Sequence, residues 1–145
     1  MSVRDICVRE VDSASAEESV QAAAERMHAR NVGTLVVLNE EQEPIGMLTD
    51  RDLAIRVVAA GKNAYRTTVA EAMTRHPTTL SEDASIEAAI AVMCFEPCRR
   101  LPVVDSNGKV AGLLSLDDVL KVLISDFGQI GDLLRRESPA NLAHV

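Results

Sequence analysis

Aromatic side chains are almost missing from this 145-residue chain, which has two Phe, one Tyr and no Trp. Proteins that hold single-stranded nucleic acid usually stack its bases on aromatic side chains, so this class is disfavoured. Runs of Lys and Arg are missing too, and a formal net charge of −7 opposes the phosphate neutralisation that nucleic-acid binding requires. We therefore expect no nucleic-acid partner, and a core built from Ala, Val, Leu, Ile and Met.

Long apolar runs and paired cysteines are also missing. No segment has the roughly 20 consecutive apolar residues that cross a bilayer, and the first residues lack the apolar stretch of a secretory signal. The three cysteines are an odd number without a Cys-x-x-Cys pair. Free thiols suit a reducing compartment, so we expect a cytoplasmic protein with no membrane partner.

The sequence repeats itself at a constant offset. Val3 aligns with Val69, and the match continues without a gap until Val58 aligns with Ile124. Two copies predict two similar units with two similar clefts. The predicted units are a first repeat at 1–62, a second at 63–125 with a linker at 61–68, and a helical tail at 126–145.

Each copy has the same pattern of apolar residues. Helical spacing predicts helices, and continuous β-branched runs predict buried strands. The predicted helices span 19–29, 50–60, 85–95 and 116–125, and the predicted strands span 32–38, 45–48, 101–104 and 110–114. With a short lead-in before each first helix (3–11 and 69–77), the order is β-α-β-β-α twice. This predicts an α+β fold packed about a pseudo-twofold axis.

Beyond the repeat, apolar residues in the tail follow helical spacing, at Phe127, Ile130, Leu133 and Leu134. This pattern predicts an amphipathic helix that ends at Ser138-Pro139. The apolar face either closes the protein's own core or contacts a second copy.

A shared pattern marks the junction between the last strand and the last helix of each copy. Gly46-Met-Leu-Thr49-Asp-Arg-Asp52 matches Gly112-Leu-Leu-Ser115-Leu-Asp-Asp118. The hydroxyl lies at a helix N-terminus, where free N–H groups and the helix dipole favour an anion. A carboxylate one turn later suits the two vicinal hydroxyls of a ribose. The glycine allows a ligand or another backbone to come close.

The same residues have a purely structural interpretation. A Thr or Ser followed three residues later by an acid forms a capping box. Two details favour the ribose-phosphate site: a capping box prefers Glu or Gln over the shorter Asp, and a cap does not require the glycine.

These junctions, together with Val69-Ala-Glu-Ala-Met-Thr74 and Leu101-Pro-Val-Val-Asp105, resemble the CBS domain family. The resemblance covers Val3 to about Ser125 and is to a tandem pair, called a Bateman module. It implies a regulatory sensor of adenosine-containing ligands such as AMP, ADP, ATP, S-adenosylmethionine or NAD(H), and favours a homodimer. It implies that no cofactor is required and that the protein is not an enzyme.

The resemblance also implies a set of ligand-binding residues. Asp52 and Asp118 would hold ribose hydroxyls, and Thr49 and Ser115 would contact ribose or phosphate. The base would lie against the lead-in and first strand of the same copy. In the second copy those residues are Thr78, Thr79, Arg100, Pro102 and Val103, and in the first copy they lie near Asp12, Ser13, Thr34 and Val36.

The two clefts differ in nearby cations. Arg51 and Arg56 follow Thr49, whereas Asp117 and Val122 follow Ser115. Anionic ligands need local cations, so we hypothesise that the first cleft takes the more phosphorylated ligand. The alternative is that both arginines only solvate a helix face. The second cleft would borrow Arg99 and Arg100.

Two alternatives to a nucleotide sensor remain. One is a structural dimerisation or interaction scaffold whose clefts are degenerate or bind metal. Cys7, His28, His76, Cys94 and Cys98 are metal-ligand types, but their spacing matches no common metal motif, so we expect no metal site. We expect Cys94 to pack in the core and His28 to lie at a helix end. The other alternative is an enzyme, but no nucleophile–base pair is visible. An unknown effector protein would read the sensor's state.

Overall fold

The chain folds into two similar units, and the computed structural model describes residues 1–96 and 98–137. The helices are α1 (Val3–Ile6), α2 (Val20–Arg30), α3 (Asp50–Leu53), α4 (Val69–Ala72), α5 (Ile86–Phe95) and α6 (Leu116–Arg136). The strands are β1 (Ser13–Ser15), β2 (Thr34–Leu38), β3 (Pro44–Thr49), β4 (Thr74–Arg75), β5 (Leu80–Ser81), β6 (Arg100–Val104) and β7 (Val110–Ser115). The mixed α+β class is confirmed.

Each unit has one small sheet. The first sheet has the order β1-β2-β3-β4 and the second the order β5-β6-β7. In both sheets the first pair of strands is parallel and the next pair is antiparallel. Every residue of β2 is buried, which agrees with its continuous apolar sequence.

Local signals fix the ends of the first helix in each copy. The Ser19 hydroxyl accepts a hydrogen bond from the Ala22 N–H, and the Ser85 hydroxyl accepts one from the Ala88 N–H, both at 3.1 Å. Asn31 ends α2 in the left-handed conformation, with φ 54°. Both predicted helices are confirmed within one residue. Pro97, which was expected to end the second of them, lies outside the described residues.

The second helices depart from the prediction. In the first copy, α3 is a single turn that continues as a π-helical segment, Ala54–Val58. In the second copy, α6 runs unbroken from Leu116 to Arg136, so the repeat and the tail share one helix. Gly128 and Gly131 weaken that helix without stopping it. The expected stop at Ser138-Pro139 lies outside the described residues.

The two copies exchange their lead-ins. Val3 packs in the core of the second copy with Leu80, Ile86 and Leu101. Val69 packs in the core of the first copy with Val20 and other apolar residues. The repeat unit of the sequence and the packing unit of the structure are therefore different.

Backbone hydrogen bonds show the same exchange. The Val3 N–H donates to the Ala84 carbonyl at 2.8 Å, and the Val69 N–H donates to the Glu18 carbonyl at 2.9 Å. Beyond α4, Thr74 pairs with Met47, and in the equivalent place Val8 pairs with Leu113. These reciprocal contacts give the fold its pseudo-twofold relation.

The glycine of each junction makes room for an exchanged lead-in. A Cβ on Gly112 would lie 2.8 Å from the Val8 carbonyl oxygen and 2.7 Å from Cys7 Sγ. A Cβ on Gly46 would lie 3.1 Å from the Thr74 carbonyl oxygen and 2.4 Å from Met73 Sδ. The glycines are thus explained by close packing of the lead-ins.

Within the described residues, no helix combines the length and apolar character needed to cross a membrane.

Candidate functional site

Two equivalent clefts lie between the copies. The Thr49 cleft has a volume of about 310 Å³, and the Ser115 cleft has a volume of about 300 Å³. The Thr49 cleft is lined by Thr34, Met47, Thr49, Thr74, His76, Pro77, Thr78, Glu96, Cys98, Arg99, Arg100, Leu101 and Pro102. The Ser115 cleft is lined by Val8, Glu10, Asp12, Asn31, Val32, Gly33, Thr34, Arg100, Leu113, Ser115 and Asp118. Each cleft therefore takes residues from both copies.

The pairing of residues across each cleft differs from the sequence-based expectation. Thr49 shares its cleft with Thr78, Arg100 and Pro102, which belong to the second copy. Ser115 and Asp118 share theirs with Asp12 and Thr34 of the first copy. Because the lead-ins cross between the copies, each junction shares its cleft with the lead-in of the other copy, not with its own.

The remaining predicted site residues lie elsewhere. Val36 and Val103 are fully buried and line neither cleft, and Val103 packs in the core of the second copy. Among the described residues, Arg51, Asp52, Arg56 and Thr79 are outside both cleft linings, although Asp52 is tied to Thr49 by its cap.

Both junctions form complete capping boxes. Thr49 Oγ1 accepts a hydrogen bond from the Asp52 N–H at 3.1 Å, and Asp52 Oδ2 accepts one from the Thr49 N–H at 2.9 Å. Ser115 and Asp118 make the same pair at 3.1 and 3.0 Å. The preference of capping boxes for Glu or Gln therefore gave no valid argument against a cap here, because Asp closes both boxes.

A cap does not prevent these residues from contacting a ligand. In each box, the cap hydrogen bond to the carboxylate uses Oδ2, and a carboxylate has further lone pairs to offer. The hydroxyl of Thr49 or Ser115 accepts a bond in the cap, and its own proton stays available to a ligand oxygen. The two roles are therefore chemically compatible.

The caps lead to a first prediction about stability. Ser115→Ala is expected to lower the free energy of unfolding by about 1 kcal/mol, because the Asp118 N–H loses its acceptor. Ser115→Thr is the matched control, since Thr49 caps the same junction in the first copy. Urea denaturation measures both variants. Equal stability of the Ala and Thr variants would contradict the role of the hydroxyl as a cap.

The cations near Thr49 are not those that the sequence suggested. The Arg56 guanidinium donates to the Ala72 carbonyl at 2.9 Å, and it lies 3.8 Å from Asp52 Oδ1. It therefore holds the exchanged lead-in against the helix. Arg99 and Arg100 of the second copy supply the cations that line the Thr49 cleft.

Cys98 and its neighbours form one wall of the Thr49 cleft. Burial, with a smaller effect from Glu96, raises the pKa of the Cys98 thiol. Burial likewise raises the pKa of the Cys7 thiol, which packs over Gly112. Thr78 donates a short hydrogen bond to Glu96 across the same wall. Cys94 is exposed, so the expectation that it packs in the core was wrong.

Sequence reasoning missed several lining residues, including Met47, His76, Glu96 and Cys98 on the Thr49 cleft and Val8 and Leu113 on the other. The repeat could have indicated two of them together, because Met47 and Leu113 occupy equivalent positions and each lines its own cleft. No local sequence pattern indicates that the lead-ins are exchanged between the copies.

Two other observations bear on alternative sites. Within residues 1–96 and 98–137, no three His, Cys, Asp or Glu side chains come together as a metal site. A larger hollow of about 470 Å³ lies by the turn after β2 and is lined by Glu17, Glu40 and Glu41 among others. Its acidic lining does not suit a phosphorylated ligand.

Comparisons with known proteins agree with this architecture. The sequence model described as "CBS domain" matches residues 3–59 and 69–125. The uncharacterised protein MK0525 of Methanopyrus kandleri is 37% identical over 122 residues, which are 84% of this chain and 62% of that protein. The chain thus spans less than two thirds of the length of that relative.

Two solved structures are similar over most of the chain. Hypoxic Response Protein I, with two coordinated zinc ions, has a TM-score of 0.76 and 29% identity, covering 83% of this chain and 98% of that one. The CBS domain pair of protein MJ0100, in complex with 5′-methylthioadenosine and S-adenosylmethionine, has a TM-score of 0.75 and 26% identity. The match covers 85% of this chain and 99% of that one.

Proposed function

The chain belongs to the CBS domain family, with two copies of that domain, and on this premise we propose that it is a regulatory module for adenosine-containing nucleotides. The observation that carries the proposal is the pair of equivalent clefts between the copies, each with a capped hydroxyl at a helix N-terminus. A ligand between two packing units is well placed to change how they pack. An unknown effector protein reads that change.

The Thr49 cleft suits a nucleotide best. Met47, Leu101 and Pro102 supply apolar surface for a base, and Arg99 and Arg100 supply cations for phosphate. Thr49 and Thr78 offer hydroxyls for the ribose, and Asp52, which the cap holds beside Thr49 just outside the lining, offers a carboxylate. A mostly apolar hollow with a few convergent polar groups is the usual form of a small-molecule site. AMP, ADP and ATP are the first candidates here.

The Ser115 cleft has a different charge. Glu10, Asp12 and Asp118 face it, and Arg100 is the single cation in its described lining, while Arg30 pairs with Asp12 at 2.8 Å from outside that lining. Neutral or cationic adenosine compounds suit this charge better than polyphosphates do. The complex of MJ0100 with 5′-methylthioadenosine and S-adenosylmethionine supports such ligands as a class. The ligand acts as a signal and needs no further cofactor.

Signalling requires two states of different affinity. A ligand shifts the packing of the copies only by as much as it binds one arrangement more tightly than the other. Residues from both copies line each cleft, so any change of cleft width alters ligand contacts. The exchanged lead-ins link the cores directly to the clefts. One lead-in begins in a core at Val3 and reaches the Ser115 cleft at Val8, and the other begins in a core at Val69 and reaches the Thr49 cleft at Thr74.

The proposed function makes a prediction that combines melting and thiol labelling. AMP, ADP or ATP at 100 times its Kd should stabilise the fold by about 2.7 kcal/mol and raise the melting midpoint. The same ligand should slow alkylation of Cys98, which lines the Thr49 cleft, and leave the exposed Cys94 unchanged. Labelling is done above the ordinary thiol pKa of about 8.5, because burial raises the pKa of Cys98.

Controls separate binding in the cleft from effects elsewhere. Arg99→Ala should weaken AMP binding, whereas Arg51→Ala, outside both clefts, should leave it unchanged. Absence of both stabilisation and protection with every adenosine compound would favour an interaction scaffold with degenerate clefts. Stabilisation by Zn²⁺ alone, reversed by a chelator, would favour the metal-binding version of that scaffold.

The second part of the proposal is a homodimer formed through α6. The helix exposes an apolar face made of Leu120, Leu123, Ile124, Phe127, Ile130, Leu133 and Leu134. It begins with Asp117 and Asp118 and ends with Arg135 and Arg136. An antiparallel second copy places the acidic end of each helix against the basic end of the other. The face therefore fits a second copy in both apolarity and charge.

A further inference from the structure

One arginine is shared by the two clefts. Arg100 lines both the Thr49 cleft and the Ser115 cleft. Its equivalent in the first copy, Thr34, also lines both. In the sheets Arg100 stands opposite Ser115, and Thr34 stands opposite Thr49. These two positions therefore lie where the clefts meet, and only one of them carries a charge.

The charge around Arg100 is unequal on its two sides. In the Thr49 cleft it is joined by Arg99, with Glu96 as the opposing acid. In the Ser115 cleft Arg100 faces Glu10, Asp12 and Asp118, and it is the one cation of the described lining. Arg100 is thus the one arginine in the described lining of the Ser115 cleft, whereas Arg99 and Arg100 both line the Thr49 cleft; Arg99 also lies 3.9 Å from Asp117, beside Ser115.

We propose that Arg100 couples the two clefts, so that a phosphorylated ligand in one lowers the affinity of the other for phosphate. The inference rests on the proposed function. A guanidinium that forms a bidentate pair with one phosphate has two of its five N–H donors, along one edge of the planar group, committed to that phosphate. Two phosphates on either side of one cation also repel each other in a site with little other positive charge.

This coupling sorts ligands between the clefts. AMP or ATP occupies the Thr49 cleft first, because two arginines line it. The Ser115 cleft then disfavours a second phosphorylated ligand and accepts an adenosine compound without phosphate. Coupling between binding sites is reciprocal, so a substitution that weakens phosphate binding in the Thr49 cleft but keeps Arg100 should leave that arginine available to a phosphate in the Ser115 cleft.

Two methyl-bearing side chains allow each cleft to be followed separately. Met47 lines only the Thr49 cleft, and Leu113, its equivalent, lines only the Ser115 cleft. Methyl NMR of the full chain labelled at Met and Leu therefore reports the AMP midpoint of each cleft. Adenosine, which lacks the phosphate, is the matched ligand.

The test compares wild type with Arg99→Ala, Arg100→Ala and Thr34→Ala. In wild type, AMP should shift the Met47 signal first, and the Leu113 signal should need on the order of tenfold more ligand. Arg99→Ala should move the two AMP midpoints in opposite directions, weakening the Thr49 cleft and strengthening the Ser115 cleft. Arg100→Ala should abolish the preference for AMP over adenosine at the Ser115 cleft and reduce it at the Thr49 cleft. Thr34→Ala, which removes no charge, should leave the coupling intact.

The outcomes separate this inference from the function on which it rests. If AMP shifts both reporters and Arg99→Ala leaves the Leu113 midpoint unchanged or weaker, the sharing of Arg100 is wrong and the nucleotide sensor stands. If neither AMP nor adenosine shifts either reporter, the proposed function fails and this inference fails with it. If adenosine separates the Met47 and Leu113 midpoints as much as AMP does, the coupling does not depend on phosphate and the inference is wrong.

Discussion

Val3→Asp is expected to destabilise the second copy by about 3–5 kcal/mol, because it places an uncompensated carboxylate in a closed apolar core. Val3 is fully buried beside Leu80, Ile86 and Leu101. Stability of a domain is typically about 5–15 kcal/mol, so the loss is a large part of the total. Urea denaturation gives the size of the effect, and native-state hydrogen exchange shows where it falls.

The location of the effect is the decisive part of this prediction. Amide protection should fall first in α5 and β6 of the second copy, although Val3 belongs to the first copy in the sequence. The equivalent substitution Val69→Asp should instead act on α2 and β2. Val8→Asp is the matched control, because the Val8 side chain is half exposed and a charge there stays in water. Loss of protection in a substitution's own copy would contradict the exchange of lead-ins.

Much of the fold could be predicted because its signals are local. Ser19 and Ser85 precede helical patterns of apolar residues, and the structure uses both as N-caps. The β-branched runs at β2 and β6 predict buried strands on composition alone. The repeat added a second, independent reading of each element, which is why the first long helix of each copy and the two strands after it were recovered closely. The lead-ins were predicted as strands, but they begin with the short helices α1 and α4.

The exchange of lead-ins could not be predicted from the sequence. A constant offset shows which residues are equivalent, but it does not show whether a segment packs on its own copy or on the other. The apolar pattern of the sequence predicts that Val3 and Val69 are buried, and it is equally compatible with burial in either copy. The pairing of residues across the clefts was therefore wrong, although Thr34, Thr49, Thr78, Arg100, Pro102, Ser115 and Asp118 do line them.

The arginines show the same limit at the level of single side chains. Spacing places Arg56 one to two turns after Thr49, which suggested a cation for that cleft. In the structure its guanidinium instead donates a hydrogen bond to the Ala72 carbonyl of the exchanged lead-in. Helical spacing predicts the face on which a side chain starts, but the partner it meets depends on tertiary packing.

Ile124→Asp is expected to convert the proposed homodimer into a monomer. The Ile124 side chain is exposed at the middle of the apolar face of α6, and Val58 holds the equivalent exposed position in the first copy. A central apolar contact is often worth about 2 kcal/mol or more, which is roughly thirtyfold in Kd. An isologous interface carries each substitution twice, so the loss is larger still. Light scattering after size exclusion measures the mass directly.

Ser125→Asp provides the matched control, since each residue of a helix turns by about 100° and residue 125 projects away from the apolar face. This variant adds the same charge to the same helix and should remain a dimer. Because the antiparallel arrangement brings Asp117 of one copy close to Arg135 of the other, at the border of the apolar face, Arg135→Glu should also weaken the dimer, and more strongly at low salt. A wild-type monomer at all concentrations would contradict the homodimer, and a dimeric Ile124→Asp would place its interface on another face. If the dimer holds, α6 joins the Ser115 cleft at its first turn to the interface along its length, and gives ligand binding a route to a partner.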